Sequence, residues 1–165
     1  MSHDGKMEDV EAWARSHPDI LRKIITKSSG AIGEIIVAQR LESIGFAVQS
    51  LNGHHEQRDL IVSKDNRSIN VEVKCVRIKG SVWWVGKRPL TEPDCGSDIW
   101  CLVSAPRQAD QLPNPDHVEV FVLTATEAAA AWDLSPYKKK SEHGGEIRLK
   151  DVPTDAKEAW GKFGL

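Results

Sequence analysis

The stretch Asp59–Arg77, DLIVSKDNRSINVEVKCVR, decides how the rest of this chain is read. DLIVS is a short apolar run suited to a buried strand, KDNR carries turn chemistry, and SINVEVKCVR is the clearest strand in the sequence. Side chains alternate along a strand, so Ile69, Val71, Val73 and Cys75 share one face and Asn70, Glu72 and Lys74 the other. Glu72 and Lys74 then lie about 6.5–7 Å apart along the chain on the same face. The short turn predicts that the two strands are antiparallel neighbours, which can bring the Asp59 carboxylate to that of Glu72. Two adjacent carboxylates repel unless a cation sits between them.

An isolated E-x-K on a strand is common and by itself reads more simply as a solvated ion pair than as a site. The elements around it argue for a site. From Gly30 to Ile44 apolar residues recur at helical spacing, with Gly45 placed as a left-handed cap. On that helix Glu34 has Val37, Ala38 and Leu41 as neighbours, so it sits on an apolar stripe facing the sheet, where a carboxylate needs a partner. Arg40 and Glu42 fall on other faces and read as solvated. Mg²⁺ is the natural cation for such a group, with Mn²⁺ as an alternative, because Mg²⁺ takes a few carboxylate oxygens and completes its shell with water and phosphate oxygens. Lys74 would orient or help deprotonate an attacking water, or stabilise charge developing on the phosphate.

FAVQS, IWCLVS and VEVFVLT are further strand candidates, the last two expected to be central. Thr124 to Glu127 resembles a capping box opening an Ala-rich helix that ends near Trp132. A short helical pattern, ILRKIITK, precedes the Gly30 helix, and EIRLKDV and a helical DAKEAWGKF close the chain. This order predicts an α/β fold, a mixed central β-sheet flanked by helices. At 165 residues the expectation is a single domain, 1–165, with its core at about 28–132 and a C-terminal extension.

The stretch G-x-x-G-E-I-I-V-A-Q-R-L-E-S-I-G-F-A-V, followed by D-L-I-V and V-E-V-K, resembles the PD-(D/E)xK nuclease superfamily over roughly residues 28 to 78. Arg58 stands where that motif carries its proline. The resemblance implies a restriction-endonuclease-like core and divalent-metal-dependent hydrolysis of phosphodiester bonds, most simply in DNA, by an endonuclease or exonuclease. It implies Asp59, Glu72, the Val73 carbonyl and Glu34 as metal ligands or ligand orienters, with Lys74 as the catalytic lysine. It leaves a homodimer open. RNA and branched or damaged DNA are equally compatible substrates. The alternative is a catalytically inactive module that keeps the fold to bind nucleic acid or a protein partner.

The chain's net charge of −2 offers no global attraction to a polyanion, so nucleic acid would need a local basic surface. Trp83 and Trp84, with Lys87 and Arg88, form an aromatic and basic mixture suited to stacking on bases and holding phosphates, unless a tryptophan packs in the core. Lys138 and Lys139, continued by Lys140, are further phosphate-contact candidates, or simply a solvated run. His54 and His55 precede Asp59 in a polar loop and read more simply as exposed. Trp132, Trp160 and Phe163 are expected in the core or in docking contacts. The three cysteines, Cys75, Cys95 and Cys101, show no metal-ligand or CxxC spacing and read as reduced, mostly buried thiols. With neither a signal core nor a membrane-spanning run in the sequence, the expected location is the cytoplasm.

Overall fold

The computed structural model describes residues 29–51, 57–78, 82–91, 96–106, 115–136 and 144–164. The ILRKIITK pattern, His54, His55, Cys95 and Lys138 to Lys140 lie outside the described residues.

Helix α1 (Ser29–Ser43) ends at Gly45, whose φ of 94° is the left-handed geometry that a Cβ would penalise. Strands β1 (Ala47–Ser50), β2 (Leu60–Lys64) and β3 (Arg67–Val76) follow as an antiparallel meander. The β2–β3 turn places both Asp65 (φ 50°) and Asn66 (φ 61°) in the left-handed region, the hairpin geometry that suits right-handed strand twist. Asp and Asn bear that geometry at less cost than other non-glycine residues. Strand β4 (Val82–Gly86) leaves the sheet, β5 (Ile99–Ser104) returns parallel to β3, and β6 (Glu119–Thr124) pairs antiparallel with β5. The main sheet is therefore mixed, in the order β1-β2-β3-β5-β6. Helix α2 (Ala125–Asp133) opens on Thr124 with both halves of a capping box in place. Strand β7 (Gly145–Arg148) pairs with β4 in a separate two-stranded ribbon.

Period-two alternation divides the interior between two faces. On one, Ile36, Val37 and Leu41 of α1 pack with Leu60, Val71, Val73, Cys101 and Val122. Gly33 makes this approach possible, since a Cβ there would lie 2.6 Å from Cys75 Cβ. On the other, Trp100, Leu102, Phe121 and Leu123 pack with α2 and with Trp83 and Ile147 of the ribbon.

Two expectations are corrected. Strand β6 lies at the end of the sheet order and is not central. It is nevertheless buried along its middle, because the C-terminal segment covers its free edge: Val122 N–H donates to the Ala156 carbonyl and Glu158 N–H to that of Val120, both at 2.8 Å. That same pairing overrides the helical pattern of DAKEAWGKF, which forms a bridge between Phe121 and Lys157 and then only a single 3₁₀ turn, Trp160–Phe163. Phe163 ends buried in the α1-side core, with Trp160 stacked on it.

Candidate metal centre

Strand β3 changes partners part-way along. Its first half, Arg67 to Val71, pairs with β2, and its second half, Val71 to Val76, pairs with β5. The β2–β3 ladder stops at Leu60 opposite Val71, so one further step along the same register sets Asp59 opposite Glu72. Asp59 is held from both sides by main chain: its N–H donates to the Val71 carbonyl at 2.8 Å, and its carbonyl accepts from Leu51 N–H at 2.9 Å. Its side chain replaces the missing strand, Oδ2 accepting from Val73 N–H at 2.8 Å. In an extended strand the N–H and C=O of one residue leave on the same side, so the Val73 carbonyl is directed at the edge Asp59 occupies.

Glu72 is buried, and its carboxylate meets Asp59 on one side and Lys74 Nζ, 2.5 Å away, on the other. Burial, and then the Asp59 charge, push the Glu72 carboxyl up to about 7 against the opposing pull of the Lys74 ammonium. Glu34 is also buried, and its Oε2 accepts from Ser50 Oγ at 3.3 Å. Ser50 is paired with Leu60 and so faces α1, whereas Glu72 and Lys74 face the side of Trp100 and Leu102. Glu34 and Glu72 thus lie on opposite faces of the sheet, at the end where β1 and β2 stop.

Among the described residues no three His, Cys, Asp or Glu side chains gather as a ready-made metal cage. The donor set at the edge where β2 leaves β3 is two carboxylates and a main-chain oxygen, with Glu34 on the opposite face of the sheet. That composition fits a hard cation that keeps part of its water shell, and the crowding of Glu72 against Asp59 is the electrostatic condition a cation would relieve. Two clefts, of about 300 Å³ around Phe46, Lys64 and Arg67 and about 350 Å³ between Arg88, Thr91 and α2, are lined by neither carboxylate.

The fold is similar to that of a bacterial homing endonuclease. That solved structure, I-Ssp6803I, superposes with a TM-score of 0.50 at 20% sequence identity, over 84% of this chain and 90% of its own. At that identity the likeness is one of fold. No protein-family model matches the sequence, and no curated protein matches it.

The remaining candidates separate. Trp83 cannot stack on a base, which corrects that expectation: it is fully buried, edge-on to Phe121, with its indole N–H donated to the Val103 carbonyl at 2.9 Å. Trp84, one residue on along the ribbon, faces outward and is 54% exposed. Lys87 is exposed, and Arg88 forks onto Asp133 with contacts of 2.9 and 2.8 Å. Cys75 and Cys101 are free thiols, and burial pushes both upward. No helix among the described residues is long and apolar enough to cross a membrane.

One residue escaped the sequence reading altogether. Gln57, in a polar loop, spans the chain after β4: its amide N–H donates to the Arg88 carbonyl at 2.9 Å and its Oε1 accepts from Leu90 N–H at 2.7 Å. No local pattern marks it, because both partners lie more than thirty residues away.

Proposed function

We propose that this chain is a PD-(D/E)xK-type nuclease, a divalent-metal-dependent phosphodiester hydrolase acting on DNA. The observation that carries the reading is the meeting of Asp59 and Glu72 at the edge where β2 leaves β3, with Lys74 against Glu72. The likeness to a homing endonuclease fold is consistent with it.

Asp59, Glu72 and the Val73 carbonyl would hold Mg²⁺ or Mn²⁺. The bound ion would supply polarisation of the scissile phosphate and a more acidic water. Lys74 Nζ has three donors, of which one is engaged by Glu72, leaving two for the attacking water and a phosphoryl oxygen. Asp59 keeps its orientation through the Val73 N–H, and Glu34 with Ser50 braces the α1 side of the same edge.

Plasmid, linear duplex and single-stranded DNA, each incubated with Mg²⁺, Mn²⁺ or EDTA, test the reading. Metal-dependent cleavage by the wild type, absent in Lys74→Ala, is expected. Tight binding with no cutting by either protein would instead mark a binding module.

A further inference from the structure

We infer that Gln57 is a positioning residue that assembles a phosphate-binding rail of Arg58, Lys87 and Arg88 beside the carboxylate pair, an inference that rests on the nuclease reading. With an overall charge of −2, a polyanion must be met by a local basic surface, and these two chain segments carry one. Arg58 precedes Asp59 directly, and Lys87 and Arg88 follow β4; all three are exposed. The two segments are distant in sequence, and the Gln57 side chain joins them. Its single amide reads the backbone of the second segment at two points, the Arg88 carbonyl and the Leu90 N–H, as a neighbouring strand would.

The backbone of Gln57 argues that this contact is built. It sits at φ 53°, a left-handed conformation that costs a residue with a Cβ, and such strain persists where surrounding contacts over-determine it. Here those contacts are the two amide bonds and a third, the Ser97 hydroxyl donating to the Gln57 carbonyl. Asp59 does not depend on them, since β1 and β3 already fix its main chain. The β7 pairing and the Trp132 indole hold the second segment at Gly86, and the Gln57 clamp is what ties its far end, Arg88 to Leu90, to the start of β2. The Arg88 fork onto exposed Asp133 is a pair that a phosphate can replace, because a guanidinium binds either oxyanion in the same bidentate way.

The experiment compares Gln57→Gly, which accepts the left-handed backbone freely but removes the amide, with Gln57→Glu, which keeps the acceptor for Leu90 N–H. Steady-state cleavage of duplex DNA with Mg²⁺ gives KM and kcat. Binding of a fluorescein-labelled duplex across a salt series, in a Lys74→Ala background, gives affinity without cutting. Gln57→Gly is expected to raise KM and weaken binding about tenfold and to lower the salt slope by about 1–2, with kcat and calorimetric Mn²⁺ affinity unchanged. Gln57→Glu should fall between it and the wild type. Arg58→Ala and Lys87→Ala should each lower the slope by about 1.

Wild-type KM and slope in Gln57→Gly, or a fall confined to kcat, would overturn the positioning role while the nuclease reading stands. Unaltered slopes in both Arg58→Ala and Lys87→Ala would remove the rail, again without touching that reading. A wild type that neither cuts nor binds duplex would sink the nuclease reading, and the rail with it.

Discussion

The two halves of β3 are made of the same kind of residue and do opposite things. Arg67 to Val71 completes a hairpin with β2 through a tight Asp65-Asn66 turn, and its pairs are local in sequence. Val71 to Val76 pairs with β5, nearly thirty residues away, and there β2 has gone and a side chain, Asp59 Oδ2, takes up a strand N–H. The first half sets the register; the second uses it to press two acids together. The local pairing fixes the strand, and the edge that β2 leaves is where Asp59 and Glu72 come together.

The largest effect expected is on the second half. Lys74→Ala should lower metal-dependent DNA cleavage by roughly 10²–10³-fold, the range for loss of one charge-stabilising donor. It should also lower the urea-denaturation midpoint of the metal-free protein, because Glu72 is left buried beside Asp59 without its cation. If cleavage survives that substitution, the second half is not the reactive one.

Gly33→Ala tests what holds this half from the α1 side. The added Cβ would meet that of Cys75 at 2.6 Å, and neither atom can rotate away, so the helix must move. A loss of about 1–3 kcal/mol in urea denaturation is expected. Asn66→Val probes the first half alone, since a β-branched residue at φ 61° loses roughly 1–2 kcal/mol. Calorimetric Mn²⁺ affinity should not change in Asn66→Val; a change would mean that the two halves are not separable.

Glu72→Gln should do the reverse. Replacing a buried carboxylate that faces Asp59 removes a repulsion, so the metal-free protein is expected to gain about 0.5–2 kcal/mol at neutral pH while Mn²⁺ binding is lost. Melting curves with and without Mn²⁺ check both parts, and destabilisation of the metal-free protein would show that the Lys74 contact outweighs the Asp59 repulsion.

The smallest effect lies outside β3. Burial raises the Glu127 carboxyl, but its bonds with Lys162 and with Thr124 outweigh that and hold it below its ordinary value. A lowered acid contributes stability that is complete above its unfolded value of 4.5 and is lost as pH falls through the lower folded one. Stability measured from pH 6 down into that range should therefore decline less in Glu127→Gln than in the wild type.

Much of this arrangement was legible because it is local. The hairpin, the alternation that puts Glu72 and Lys74 on one face, the Gly45 cap and the Thr124 capping box each depend on residues a few positions apart, where backbone geometry leaves few choices. Trp83 and Trp84 show where such reading stops. Both sit in one apolar run, and which of them is buried was decided by the pairing of β4 with β7, some sixty residues on. DAKEAWGKF had a helical pattern and yielded it to the open edge of β6, where unpaired main-chain groups had more to gain.

By itself the sequence determined the acids, their order and their faces, since period-two alternation and turn chemistry act within a strand and its neighbour. Only the tertiary structure decided that Glu34 approaches from the face opposite Glu72 and meets Ser50, and that Gln57 ties the Arg88 segment to the start of β2. Those outcomes depend on how distant elements dock, and docking is settled by packing and by main-chain groups seeking partners, neither of which leaves a periodic trace in the chain.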